Sequence, residues 1–258
     1  MTQRQSLPDK LHQDSILPLQ LRDVSYTVGN QTLLNAINLT LERQPLSIIL
    51  GANGAGKTLL LKTCAGLLQP SSGQLRWHSD PQQVAHQGRT GFTLVFQKPV
   101  LLDRSAIANV AYVLRHWPRA ERNSHALEAL RWAGCEPLAA LPARQMSGGQ
   151  QQLIALARAW AMQPQVLFLD EPCANLDPEL SLRIEHLIHA LHHRGMKIVM
   201  TTHNLGQAQR LADEIIFVEK GQIVEQTEAA VFFKTPQCAG AKRFLELESV
   251  TANRTATP

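Results

Sequence analysis

The stretch Gly51-Ala52-Asn53-Gly54-Ala55-Gly56-Lys57-Thr58 leaves this chain few folds to choose from. It follows Leu46 to Leu50, an apolar run of the kind that forms a buried strand, and it opens a helical pattern from Thr58 to Leu68 that Gln69-Pro70 stops. Between a strand and a helix, small residues let the backbone curl until successive N–H groups face one anionic point. The helix adds the positive end of its dipole to the same point. The loop therefore reads as a cradle for a triphosphate. Lys57 reaches the β and γ phosphates as a point charge, and the Thr58 hydroxyl is placed to ligate Mg2+.

Two later features narrow the chemistry. Val166-Leu167-Phe168-Leu169 reads as a buried strand delivering Asp170 and Glu171 at its C-terminal end, where open α/β sheets hold their ligands. Adjacent strand residues face opposite ways, so the carboxylates are expected to divide the work. Asp170 would hold Mg2+ through its water, and Glu171 would take a proton from an attacking water as general base. Upstream, Ser147-Gly148-Gly149-Gln150 precedes the helix-favouring run Gln151 to Met162 and makes a second anion-binding helix start. By itself this could be helix capping. A chain with two phosphate cradles and one acidic pair either binds two ligands or shares each nucleotide with another copy.

The remaining pattern supplies the frame. Leu19 to Val24 and Ile37 to Leu41 alternate apolar with polar residues, with turn chemistry at Gly29-Asn30, and predict an antiparallel flank. Gln74 to His78 and Phe92 to Phe96 read as strands, the second ending at Gln97, with a polar loop from Ser79 to Thr90 between them. From Lys98 to Ala143 strand signals vanish. Helical patterns at Ser105 to His116 and Arg119 to Ala133 make this a helical insertion. Lys197 to Thr201 resumes the buried-strand pattern after a helix with Asp177 as N-cap and Pro178 at its first position. A strand pair around Glu219-Lys220-Gly221 and two short helices from Thr227 to Leu247 close the domain. Alternating strands and helices imply a parallel sheet.

Composition excludes several classes. The 258 residues, 44% apolar, can bury a substantial core, and the formal charge of +4 is spread without a Lys/Arg block that would track a nucleic-acid backbone. No nucleic-acid partner is expected. No apolar run reaches the roughly 18 to 20 residues that cross a bilayer, since Lys62, Arg158, Pro164 and Asp170 interrupt the longest ones. Met1 to Pro18 has no apolar core or cleavage site, so it reads as a flexible segment and cytoplasmic residence is expected. Cys64, Cys135, Cys173 and Cys238 form no Cys-x-x-Cys pair and read as free thiols; Cys173, close to the acidic pair, reads first as a small-residue substitution and only second as a site of oxidation or alkylation. His186, His189 and His193 share a helix face at metal-ligand spacing. The amphipathic pattern of Leu182, Leu187, Ile188 and Leu191 accounts for them as a solvated face.

Taken in order, these motifs resemble the ATPase subunits of ATP-binding-cassette (ABC) transporters, from about residue 19 to 247. The resemblance rests on Gly51 to Thr58 as Walker A, Gln97 as the Q-loop glutamine, and Met146 to Gln150 as the signature. Val166 to Glu171 stands as Walker B, Asn175-Leu176-Asp177 as the D-loop and His203 as the switch histidine. It implies an α/β fold: a P-loop NTPase (RecA-like) core with an antiparallel β flank and an inserted α-helical subdomain. The implied division is one domain over 19–247, with the core at 19–97 and 160–247 and the helical subdomain at 98–159. Residues 1–18 would be a flexible N-terminus and 248–258 a polar tail.

The resemblance also implies a head-to-tail homodimer in which each ATP lies between one copy's Walker A loop and the other's signature helix. Glu171, His203 and Gln97 would be catalytic, and Thr58, Gln97 and Asp170 would hold Mg2+. Nucleotide contacts would come from Gly51, Asn53, Gly54, Ala55, Gly56, Lys57, Thr58 and Leu59, and from Ser147, Gly148, Gly149, Gln150 and Asp177. Several positions depart from the family's usual residues. Val28 stands where an aromatic often stacks on adenine, with Tyr26 two residues earlier on the expected same face. Leu59 replaces a common hydroxyl residue and Leu153 a frequent arginine, and Met146, Cys173, Asn175 and Asn204 also differ. None of these removes a phosphate, metal or base group.

One cassette without long coiled coils is similar to a transporter's energy-coupling subunit rather than a soluble ABC ATPase of translation or chromosome maintenance. The segments Phe96 to Ser105 and Thr201 to Ala208 resemble importer cassettes of tungstate and related oxyanion systems; phosphate, molybdate and polar amino-acid importers, and exporters, are the alternatives. The partners implied are integral-membrane permease subunits and, through them, a periplasmic or surface solute-binding protein. The implied location is peripheral, on the cytoplasmic face of the inner (plasma) membrane.

Overall fold

Strands buried on both faces need a cover on each side, and the molecule is built as three layers that supply it. A computed structural model describes residues 15–81 and 91–255. Residues 1–14 and 256–258 of the expected termini, and 82–90 of the loop expected at 79–90, lie outside the described residues.

The central sheet has six strands in the order β5-β6-β7-β3-β8-β9: β3 Ser47–Leu50, β5 Phe92–Val95, β6 Val166–Asp170, β7 Lys197–Thr202, β8 Glu214–Glu219 and β9 Gln222–Glu228. All pairings are parallel except the β8–β9 hairpin. Residues along each strand alternate between two cores. Ile48, Leu50, Leu167, Leu169, Ile198 and Met200 face one, while Ile49, Val166, Phe168 and Val199 face the other. Each such fully buried side chain contributes about 1.5–3 kcal/mol relative to exposure.

The second core is closed by α1 (Lys57–Cys64) and by a three-stranded antiparallel sheet, β2-β1-β4, from β1 Leu19–Val28, β2 Gln31–Leu41 and β4 Ser72–Trp77. Trp77 stacks on Phe92 at 5.6 Å and meets Phe168 edge-on, joining this flank to β5 and β6. Ile16 and Leu17 are also buried there, and the Ile16 N–H donates to Gln165 at 3.0 Å. The flexible N-terminus expected up to residue 18 is thus packed from Ser15 onward, because two apolar side chains reach the core.

The first core is covered by α2 (Ala106–Val113), α3 (Arg119–Trp132), α4 (Gly148–Met162), α5 (Pro178–His193), α6 (Leu205–Leu211), α7 (Ala229–Lys234) and α8 (Ala239–Thr255). The expected subdomain boundary at 159/160 falls inside α4. The expected tail from 248 is mostly the continuation of α8, and α6 was not expected; its Asn204 cap accepts from the Gln207 N–H at 2.9 Å. Helix α1 stops at Cys64, short of the expected Leu68, because the chain turns left-handed at Gly66 (φ 67°) and Leu67 N–H closes back on the Lys62 carbonyl.

Candidate active site

The C-terminal ends of β3, β6 and β7 are neighbours in the sheet, so whatever follows each strand meets at one edge. After β3 the Gly-rich loop wraps against the β8–β9 hairpin. A Cβ on Gly51 would lie 2.2 Å from the Val218 carbonyl oxygen, and the Gly221 N–H donates to the Ala55 carbonyl at 2.9 Å. Gly56 caps α1 at φ 105°, a conformation that favours glycine. Asn53 and Gly54 are exposed on the outer turn of the loop, Ala55 is buried beneath it, and Leu59 packs against the second core.

Lys57 is 5% exposed and its ammonium donates to the Gly51 and Ala52 carbonyls at 2.9 and 3.0 Å. Glu171 Oε1 stands 3.8 Å away. Burial pushes the Lys57 pKa below the usual lysine value, against the opposing pull of the Glu171 and Asp170 carboxylates.

Asp170 ends β6 and its Oδ1 accepts from two hydroxyls, Thr58 Oγ1 and Thr201 Oγ1, each at 2.8 Å. Thr201 lies opposite Asp170 in the β6–β7 register. It is fully buried, and its hydroxyl also accepts from the Glu171 N–H at 2.9 Å. Sequence reading missed Thr201. The available signal was its place, two residues before His203 at the end of an apolar strand.

Glu171 lies one residue beyond the strand with φ 44°, left-handed for a non-glycine residue and costing of order 1–3 kcal/mol. This corrects the expectation that strand alternation separates the two carboxylates. The left-handed turn does so, sending Asp170 toward Thr58 and Glu171 toward Lys57 and His203. The Glu171 Oε2 to His203 Nδ1 distance is 2.8 Å. Gln97, two residues past β5, lines the same cleft of about 530 Å3 as Glu171, Asn175, His203 and Arg210.

The other expected site residues stand apart. Ser147 and Gln150 satisfy each other in a capping box, with Gln150 N–H donating to Ser147 Oγ at 3.2 Å and Ser147 N–H to Gln150 Oε1 at 3.0 Å. Gly149 lets α4 approach α5, since a Cβ there would come within 2.1 Å of Leu180 Cδ2, and Gly148 is open. Among the described residues no hydrogen bond or ion pair joins Ser147–Gln150 to the Lys57, Asp170, Glu171 and His203 group. Asp177 caps α5 by accepting from the Leu180 N–H at 2.8 Å.

The structure also places Tyr26 and Val28, Cys173 and the α5 histidines. A bulge between Tyr26 and Thr27 breaks the alternation on which a shared face for Tyr26 and Val28 was argued; Val28 is exposed, while Tyr26 packs partly into the second core. Burial pushes the Cys173 thiol up to about 12, so it is a poor nucleophile, and its Sγ instead lies 3.7 Å from the Ser181 carbonyl. On α5, His189 stacks on His193 at 5.9 Å, and His192 pairs with Asp213 at 3.2 Å. Among the described residues no group of His, Cys, Asp or Glu forms a metal cluster. The hydroxyl of Thr58 and the carboxylate of Asp170 nonetheless fit Mg2+, which takes one or two protein oxygens and completes its shell with phosphate and water.

A parallel sheet with a phosphate loop after one strand, an acidic pair after another and a helical insertion between them defines a P-loop ATPase cassette. Residues 34–174 match the family model described as ABC transporter. Over 213 residues the chain is 37% identical to the tungstate uptake system ATP-binding protein TupC of Peptoclostridium acidaminophilum, covering 81% of this chain and 98% of that protein. It is 33% identical to the phosphate import ATP-binding protein PstB 2 of Natronomonas pharaonis, over 90% of this chain and 87% of that protein. It is 32% identical to the L-cystine transport system ATP-binding protein TcyN of Escherichia coli, over 88% and 97%. A dimeric, post-hydrolysis ATP-binding cassette, MJ0796, bound to ADP and Pi superposes with a TM-score of 0.72 at 27% identity, covering 82% of this chain and 98% of that one. The chain belongs to the ABC transporter family, among its importer ATP-binding subunits, and is an ABC-type ATPase.

Proposed function

We propose that this chain drives uptake of a small oxyanion of the tungstate class by hydrolysing ATP, as a homodimer bound to integral-membrane permease subunits on their cytoplasmic face. A solute-binding protein would deliver the cargo. The observation that carries the catalytic part is the division made at Asp170-Glu171: one carboxylate faces Thr58, and the other faces Lys57 and His203.

Thr58 and Asp170, with Gln97, would hold Mg2+, which when bound offsets the charge on the transferring phosphoryl group. Lys57 and the loop N–H groups bind and orient the β and γ phosphates. Glu171 accepts a proton from the attacking water, and His203, bonded to Glu171, fixes that carboxylate and contacts the γ phosphate. Gly148 and Gly149 open α4, where the first N–H groups of a helix lack intrahelical partners, and they stand apart from this group, which supports the Ser147–Gln150 turn completing the site of a second copy. The dimeric cassette among the solved structures supports the same arrangement. No described helix is long and apolar enough to cross a membrane, so spanning is assigned to the partner. Val100 and Leu102, 70% and 38% exposed and close to Gln97 in sequence, support docking of a permease helix in a groove beside Gln97.

The cargo assignment is supported by the tungstate uptake relative, whose identity exceeds those of the phosphate and L-cystine relatives. The test is to purify the chain with its co-purifying membrane partners and measure ATP hydrolysis with their binding protein. Stimulation by tungstate is expected; stimulation by phosphate or an amino acid instead overturns the cargo. Lys57→Ala is expected to weaken ATP binding itself, and unchanged affinity would undermine the phosphate-loop assignment.

A further inference from the structure

Gln97 is held firmly on one side only by the sheet. Val95 pairs with Leu169 in the β5–β6 ladder, one residue before Asp170, but Gln97 and Lys98 are exposed and lie beyond the last strand residue. A side chain in that position points reproducibly only if the chain after it is anchored as well.

Two side chains provide that anchor. Arg158 Nη1, on α4, donates to the Val100 carbonyl at 2.7 Å, across 58 residues of sequence. The Arg158 guanidinium is half-buried and takes part in no ion pair with a carboxylate among the described residues, so its polar commitment is to this backbone. Asn109, on α2, is 1% exposed and uses both ends of its amide. Its Oδ1 accepts from the Leu102 N–H at 2.8 Å, and its Nδ2 donates to the carbonyls of Leu102, Arg104 and Ser105 at 3.0, 3.2 and 3.1 Å. The segment from Val100 to Ser105 is therefore pinned to two helices of the insertion. One of these is the helix whose first turn is the Ser147–Gln150 cap, about 15 Å away along its axis at 1.5 Å per residue.

We propose that Arg158 and Asn109 are positioning residues for Gln97, clamping the Val100–Ser105 segment so that Gln97 and the start of α4 move as one body. The proposal rests on the role given to Gln97 under the proposed function. It adds that this role depends on groups that touch neither nucleotide nor metal. Because the clamp also sets the presentation of Val100 and Leu102, it links the proposed permease groove to both Gln97 and the signature cap.

The test is a double-mutant cycle on the full-length chain, measuring kcat and KM for ATP with melting temperature as the check of folding. Arg158→Ala is expected to lower kcat roughly tenfold with KM changed less than about twofold. Arg158→Lys, which keeps a donor within reach of Val100, is expected to recover part of that loss. Combined with Gln97→Ala, Arg158→Ala is expected to add nothing further. An undiminished tenfold loss in the Gln97→Ala background overturns the positioning role while leaving Gln97 its own. Wild-type turnover in Gln97→Ala alone overturns the underlying role, and the positioning role falls with it. Asn109→Asp, which keeps the acceptor and removes the donors, is expected to behave as Arg158→Ala does; wild-type kinetics there would remove Asn109 from the clamp.

Discussion

At the scale of single residues the site depends on one backbone turn. Glu171 takes a left-handed conformation that an L residue adopts at a cost, and two bonds to Thr201, from its N–H to the side-chain hydroxyl and to the carbonyl, hold it there. That turn gives the two carboxylates separate partners, so they can be tested separately. Glu171→Gln is expected to keep ATP binding while slowing turnover by roughly 10²- to 10⁴-fold, the loss typical for a general base. Single-turnover kinetics beside an ATP-binding isotherm distinguish the two effects, and near-normal turnover would refute the role. The thiol beside the site is a second test. With burial holding Cys173 at about 12, a maleimide at pH 7.5 is expected to leave it unmodified in the native chain and label it only after unfolding, as read by peptide mass.

At the scale of elements, α5 and α6 are joined by a buried acid. Glu185 on α5 is 3% exposed and takes two bonds from Arg210 on α6, at 2.7 and 2.8 Å, with Gln207 donating to it as well. Helix α6 is short and starts two residues after His203, so this pair fixes the helix that follows that histidine. Arg210 is half exposed, which weakens the pair itself, but removing it strands a buried carboxylate. Arg210→Ala is expected to cost about 2–4 kcal/mol in urea unfolding, and adding Glu185→Gln to recover much of it. If the single substitution were neutral, Glu185 would have to find water that its burial denies it.

At the scale of the whole molecule, buried titrating groups set the pH of greatest stability. Burial lowers Lys197 from 10.5 to about 8, opposed by Glu214, Asp213 and Glu42. The unfolded chain therefore holds a proton that the folded chain releases between pH 8 and 10.5, and stability rises with pH across that window. Burial raises Cys64, Cys135 and Cys173 from 9.0 to about 12, 11 and 12. The stability they contribute is whole below pH 9 and is lost as pH climbs toward their folded values. The two effects nearly offset between pH 8 and 9, so the expected profile is flat there and falls beyond. Denaturant unfolding at pH 8, 9 and 11 checks it, and Lys197→Met is expected to turn the flat stretch into a fall of about 1 kcal/mol between pH 8 and 9.

Much of this fold was legible because its signals are local. Apolar runs ending in chemistry, at Leu50, Val95 and Leu169, read as buried strands since they are covered on both faces; Pro178 after Asp177 starts a helix by its own geometry. The phosphate loop, the acidic pair and the glycines at the start of α4 could be named for the same reason. What the chain alone did not determine lies where distant segments meet. The order β5-β6-β7-β3-β8-β9 brings Thr201 beside Asp170. The turn at Glu171 sends the carboxylates apart, and contacts between Arg158 and Val100 or Glu185 and Arg210 join residues far apart in sequence. Such contacts depend on register and packing between elements, which no window of sequence contains. The sequence by itself determined the chemistry available to this ATPase, and only the tertiary structure decided which group faces which.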